Sequence, residues 1–192
     1  AWPARNLTVP HRRLFESVPE EVLRVDNKAT RIIPALVMPY EAEDIYDRAV
    51  PTYRHLQGHT YDLRPAAIRD AHLLRYAITA HTDTFRREKF LTKSPFNAFR
   101  IHQLEQLFGQ AMRYIHIQRP KEQVAASLTR NHFAFYARGR ELSPPESYEV
   151  FTSAIRADAP RERTVSVTLE ALRAEPDRTI AGLIEWLTLG VK

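Results

Sequence analysis

Three side chains stand where they could handle an anion. Lys93 follows the short apolar run Phe90-Leu91-Thr92. Arg119 follows the β-rich run Met112 to Ile117, and Ser127 lies eight residues beyond it. A guanidinium forks onto two oxygens of a phosphate or sulfate, whereas an ammonium acts as a compact point charge. Each run is followed by a helix start signal. Ser94-Pro95 offers a capping hydroxyl and a proline at the first helical position, and Pro120 precedes the helical text Lys121 to Arg130. The free N–H groups and positive dipole end of a helix N-terminus form a natural seat for phosphate or sulfate. The stretch Phe90 to Arg130 therefore reads as strand, helix, strand and anion-binding turn. Spacing alone leaves other roles open. Arg119 could pair with Glu122 or another nearby carboxylate, Ser127 could be a small packing residue, and Lys93 a solvated lysine at a strand end.

The elements that must position these residues follow from periodicity and punctuation. Glu41 to Ala49 is acidic at its start, as suits a helix N-terminus. From Pro65, the residues Ala67, Ile68, Ala71, Leu74, Ala77 and Ile78 recur at helical spacing and predict a helix to about Ala80. Lys89 to Thr92 reads as a short strand. The helix after Ser94 keeps Phe99, Leu104, Leu107 and Phe108 inward and ends near Gly109. Ser143-Pro144-Pro145-Glu146 is a cap-like start for a helix through Tyr148, Phe151 and Ile155. Thr164 to Thr168 reads as a strand, and Glu175-Pro176 opens a closing helix holding Ile180, Leu183, Ile184 and Leu187. Upstream, Arg31 to Met38 is broken by Pro34, so a strand there is an edge or bulged one. Strands separated by helices predict an α/β fold, a parallel sheet with flanking helices, in which ligands sit at the carboxyl ends of the strands.

Composition removes several classes of function. A chain of 192 residues is one domain by length and can bury a full core. It has no cysteine, so disulfides, thiolate metal sites and cysteine nucleophiles are excluded. No apolar run approaches the roughly 18–20 residues that span a bilayer. The net charge of +5 and pI of about 9.6 favour anionic ligands. The arginines are spread out rather than clustered, which fits a small anion better than a nucleic-acid polymer. His55 and His59 would share a face if helical, but no third ligand is evident and no metal site is expected. With no targeting signal and no cysteine, a cytoplasmic location is the default expectation.

The residues Phe90-Leu91-Thr92-Lys93-Ser94-Pro95, then Met112-Arg113-Tyr114-Ile115-His116-Ile117-Gln118-Arg119-Pro120, with Ser127 eight residues after Arg119, resemble the sulfotransferases that use 3′-phosphoadenosine 5′-phosphosulfate (PAPS). In that family one strand ends in Lys, and another ends in Arg-Asp-Pro before a helix carrying a Ser at this spacing. Val165 to Pro176 is similar to the family's Tyr-Glu-Asp-Leu segment and its Pro-led helix. The resemblance covers roughly residues 88 to 190. It implies a P-loop-like α/β fold in which Arg119 and Ser127 bind the 3′-phosphate of the nucleotide. It also implies that Lys93 neutralises charge on the transferring sulfuryl group, and that the acceptor is a hydroxyl or an amine. Catalysis of such in-line transfer is mostly positioning plus cations aimed at the equatorial oxygens.

The departures are specific. The family's 5′-phosphosulfate loop is not found: none of the five glycines (58, 109, 139, 182 and 190) sits in a Ser/Thr-rich strand-to-helix turn. That strand, loop and helix are expected near or before residue 1, leaving 1–192 as a single sulfotransferase-like domain truncated at its N-terminus or lacking half the site. The family's Arg-Asp-Pro is Arg119-Pro120-Lys121 here, and the Tyr near the adenine corresponds to Leu169. Candidates for the base that takes the acceptor's proton are His81, Glu88 and His102. The missing loop and the lack of an evident base keep a second reading in play, a non-catalytic sulfotransferase-like module with a binding or structural role.

Overall fold

A computed structural model describes residues 43–85 and 89–189. They group into two compact units, 43–51 with 67–85 and 89–97, and 52–66 with 98–189. The expected edge strand around Pro34 lies outside the described residues. Among the described residues no helix is long and apolar enough to cross a membrane.

The first unit is a helix pair. α1 (Glu43–Ala49) packs against α2 (Ala71–Phe85), and Ile45, Tyr46, Ala49, Val50, Leu74 and Ala77 are buried. α2 starts six residues later than Pro65 because Asp70 supplies the cap, its Oδ1 accepting the Leu73 N–H at 2.8 Å. The Ala49 carbonyl takes the N–H groups of Arg69 and Asp70, at 2.8 and 3.2 Å, outside any helix. No strand forms over Lys89 to Thr92. The run is irregular backbone, and its most apolar side chain, Leu91, is left 78% exposed rather than packed on a sheet. Ser94 does act as a local cap, its Oγ accepting the Phe96 N–H at 3.2 Å, but it opens a 3₁₀ turn (Pro95–Phe99) rather than an α-helix.

The second unit is mixed α/β. Its strands are β1 (Tyr53–His55), β2 (Thr60–Leu63), β3 (Tyr114–Gln118), β4 (Ala134–Ala137), β5 (Arg140–Leu142) and β6 (Thr164–Thr168). Its helices are α3 (Ile101–Phe108), α4 (Lys121–Arg130), α5 (Pro144–Asp158), α6 (Leu169–Ala174) and α7 (Pro176–Leu189). The α/β class, the flanking helices and the strand at Thr164 to Thr168 agree with the sequence expectation. Among the described residues the strands do not form one parallel array. β1-β2-β4-β5 is a mixed sheet in which only β2 and β4 run parallel, and β3 and β6 form a separate parallel pair.

The two hairpins of the mixed sheet are not anticipated by periodicity, because their strands are three or four residues long. The β4–β5 turn is Arg138-Gly139, with φ of 53° and 79°. A two-residue loop with positive φ at both positions matches the strands' right-handed twist, and glycine adopts it at no steric cost. β5 leads into α5 through a capping box. The Ser143 N–H donates to Glu146 Oε2 at 2.8 Å, and Arg140 holds the other oxygen at 2.8 Å. The Arg140 hydrogen bond, with the Ser143 backbone and hydroxyl, pulls the Glu146 carboxyl down to about 2. Phe151 of α5 then packs edge-on against Phe99 and Phe135, with centroids at 4.6 and 5.1 Å.

One polar cluster fixes the β3–β6 pair. Arg163, just before β6, forms a forked ion pair with Glu105 of α3, one arm at 3.0 Å. The same guanidinium donates to the Gly109 carbonyl at 2.6 Å, and Tyr114 at the start of β3 donates to Glu105 at 2.8 Å. The Arg163 side chain is 9% exposed. Removing one partner of a buried pair strands the other charge, at a cost of about 3–5 kcal/mol. Arg163→Leu is therefore expected to lower the unfolding free energy by that amount in urea titrations. The double variant Glu105→Leu/Arg163→Leu should recover a large part of the loss. A single variant no less stable than the double would show that the pair is not the clamp.

Candidate functional site

β3 and β6 alternate in chemistry as well as in direction. In register, Ile115 pairs with Val165 and Ile117 with Val167, while His116 pairs with Ser166 and Gln118 with Thr168. Successive side chains of a strand point to opposite faces, so the pair has an apolar face and a polar one. The apolar face carries Val165 and Val167 toward Ala171, Ala174 and Leu183 of α6 and α7. The polar face, with His116, Gln118, Thr164, Ser166 and Thr168, floors a cleft of about 740 Å³. Its wall is one stripe of α5, in which Tyr148, Thr152, Ile155 and Arg156 recur at helical spacing, with Ala159 just past the helix end.

The carboxyl ends of both strands open at the mouth of this cleft, where Arg119, Pro120 and Glu170 stand. Arg156 and Arg161 line it further along, so three guanidiniums face one carboxylate. Among the described residues none of the three forms an ion pair. The Arg119 Nε is buried and has no hydrogen-bond partner. A buried N–H without an acceptor is costly unless something outside the protein supplies one. α4 begins directly after Arg119-Pro120 with no side chain capping its first turn, so its free N–H groups add to the same positive end. His116 is held below the ordinary imidazole value of 6.5, first by burial and then by the nearby Arg156. It is therefore neutral in the resting cleft at neutral pH.

The structure places the residues singled out from the sequence as follows. Arg119 lies at the cleft mouth and does not pair with Glu122. Ser127 lies on α4 but does not line the cleft; its Oγ accepts from Asn131 Nδ2 at 3.3 Å, leaving its own proton to donate. Lys93 belongs to the first unit and is exposed, in irregular backbone rather than at a strand end. His102 is exposed and shares a 3.0 Å hydrogen bond with Gln106. Glu88 and the His81 side chain lie outside the described residues. His55 and His59 sit on the β1–β2 hairpin, not on a helix. His55 contacts the Gly58 carbonyl at 2.6 Å, and the His59 ring stacks on Phe133 at 4.7 Å.

His116, Tyr148, Arg156 and Ser166 were not singled out in the sequence. The signal was present: polar residues alternate with Ile and Val in both strands, and 148, 152 and 156 share one helical face. Three of the five glycines (58, 109 and 139) take positive φ at turns and helix ends, and none of these three lines the cleft.

A parallel strand pair that delivers an arginine to a cationic cleft marks an α/β protein with a site suited to an anion. A model of the sulfotransferase family matches residues 11–192, well beyond the half of the chain in which motifs are readable by eye. The chain belongs to the sulfotransferase family, whose members move a sulfuryl group from a nucleotide donor, generally PAPS, to an acceptor. No curated protein and no solved structure matches the chain.

The lowered His116 value carries a consequence for stability. The unfolded state takes up this proton near pH 6.5 and the folded state only at lower pH. Between those values the unfolded state binds more protons, so stability falls as pH falls through that window and is unaffected above it. Urea midpoints from pH 7.5 to 5 should show this loss, and His116→Gln should flatten that part of the profile. An unchanged profile in the variant would rule His116 out as its source.

Proposed function

We propose that the chain transfers a sulfuryl group from PAPS to a hydroxyl or amine acceptor. Arg119 and Ser127 bind the nucleotide's 3′-phosphate and Lys93 neutralises the transferring group. The observation that carries this reading is Arg119 itself. Its guanidinium is unpaired, its Nε is buried without an acceptor, and it stands at the carboxyl end of β3 beside the uncapped start of α4. A phosphate fits that arrangement, because it can take a forked pair of N–H bonds and accept from helix N–H groups together. The charge balance of the cleft, three arginines against Glu170, supports a multiply charged ligand.

In the reaction the acceptor's oxygen or nitrogen attacks sulfur as the bond from sulfur to the nucleotide's phosphate oxygen breaks. The leaving group is adenosine 3′,5′-bisphosphate, and the acceptor gives up its proton to a base. A 3′-phosphate fixed by Arg119 contributes orientation rather than bond-breaking, so its loss should appear in binding. An ammonium at Lys93 acts on charge that grows in the transition state, so its loss should appear in turnover.

Calorimetry with adenosine 3′,5′-bisphosphate tests the first role. Arg119→Ala should weaken binding by about 1.5–3 kcal/mol, the range for a hydrogen bond to a charged group. Unchanged affinity in a folded variant would remove Arg119 from the site. Transfer of labelled sulfate from PAPS over an acceptor panel tests the second, and Lys93→Ala should lower kcat more than it weakens the nucleotide. Absence of both nucleotide binding and transfer in the unaltered chain would refute the reading.

A further inference from the structure

At the cleft mouth two opposite charges face the same space and do not pair. Gln118 and Thr168 are register partners, so Arg119 and Glu170, one and two residues beyond them, emerge at the same end of the strand pair. Both line the cleft, yet no carboxylate approaches the Arg119 guanidinium within 4.0 Å. Glu170 is held in place by other contacts. Thr168 caps α6, its Oγ1 accepting the Ala171 N–H at 3.1 Å, which fixes the backbone that carries Glu170. Gln123 of α4 donates to Glu170 Oε1 at 3.3 Å, tying the carboxylate to the helix that follows Arg119. The described residues provide no hydrogen bond to its second oxygen.

A guanidinium whose buried Nε lacks an acceptor, beside a carboxylate with one oxygen still without a donor, asks for a ligand that presents an anion and a hydroxyl on neighbouring atoms. A ribose 3′-phosphate does so, because the 2′-hydroxyl sits on the adjacent carbon. We infer that Glu170 accepts a hydrogen bond from the ribose 2′-hydroxyl of the donor nucleotide, making it a specificity-determining residue beside Arg119. This inference rests on the nucleotide reading above. The chemistry parallels that of other α/β nucleotide sites, where a carboxylate at a strand end takes a ribose hydroxyl next to an anion seat at a helix start. The arrangement also turns away a phosphate at the 2′ position, which would meet the carboxylate instead of the guanidinium.

The test is calorimetric titration of the full chain with adenosine 3′,5′-bisphosphate and with its 2′-deoxy analogue. The unaltered protein should bind the ribose form about ten-fold or more tightly, as expected for one hydrogen bond to a charged acceptor. In Glu170→Ala the gap should close to within about two-fold; the side chain is exposed, so the fold is retained. Merely structural damage would weaken both ligands alike and leave their ratio intact. Equal binding of the two ligands by the unaltered protein, or a gap that survives in Glu170→Ala, overturns the role of Glu170 while the nucleotide reading stands. Binding of neither ligand overturns both.

Discussion

The buried Arg163–Glu105 pair is the constraint on which the rest of the second unit depends. Among the described residues β3 and β6 pair only with each other, so a contact outside the ladder helps to set where β3 begins relative to β6. Arg163 does so from the residue before β6. It grips α3 through Glu105 and the α3 terminus through the Gly109 carbonyl, while Tyr114 joins the same carboxylate from the first residue of β3. A buried ion pair is seldom a large net stabiliser, since desolvation offsets most of its attraction. Its value here lies in register. Because side chains alternate with a period of two, a slip by one residue would turn the valines of β6 into the cleft and Ser166 out of it. The clamp at the amino ends thereby decides which residues meet at the carboxyl ends.

What meets there is arranged at some cost to the fold. Arg119, Arg156 and Arg161 face the cleft without ion-pair partners, although carboxylates elsewhere in the same unit are engaged with cations. Lys121 reaches Glu149 at 2.7 Å, and Arg140 reaches Glu146 at 2.8 Å. Cations left unpaired in a cleft, with one N–H buried and unsatisfied, lower the stability of the ligand-free state. An anion that binds only the folded state restores it in proportion to its concentration over Kd. Local inconsistency of this kind marks a place where a sequence serves a ligand rather than its own fold.

Much of this was legible in the sequence, and the exceptions have physical causes. α5 and α7 could be read because their starts carry explicit chemistry, Ser143 with Glu146 in one case and Pro176 in the other. β6 could be read because Thr164 to Thr168 alternates cleanly. The place of Arg119 between β3 and α4 could be read because the β-rich run before it and Pro120 after it mark the two elements. The short hairpins could not, since three or four residues hold too little periodicity to rise above loop text. Lys89 to Thr92 has strand composition but lies in irregular backbone, and composition alone makes no ladder. The start of α2 was misplaced because Asp70 outcompeted Pro65 as the boundary. The cleft was hidden for another reason: its wall comes from α5, some thirty residues from Arg119, and only packing reveals that the stripe holding Tyr148, Thr152 and Arg156 faces the polar side of β3 and β6.

The helix starts of this unit show how an anion seat can be built without a glycine-rich loop. α5 begins with its own carboxylate and hydroxyl in place, and α6 with the Thr168 hydroxyl on the Ala171 N–H. α4 begins at Pro120, which brings no capping oxygen, and no other side chain supplies one. Orphan N–H groups of a first turn are taken by side chains, water or ligands. Proline at this point also fixes the backbone, so the turn into α4 is set before a ligand arrives and little order is lost when one does. α3 also starts without a side-chain cap, but of the two uncapped starts it is that of α4 that follows Arg119 at the cationic cleft. The glycines with positive φ close turns and helix ends elsewhere. On the proposed reading, anion recognition at this end of the fold relies on a guanidinium and a rigid, uncapped helix start. It places the sequence-specific demand on Arg119 and Pro120, where a phosphate-cradling loop would place it on glycine.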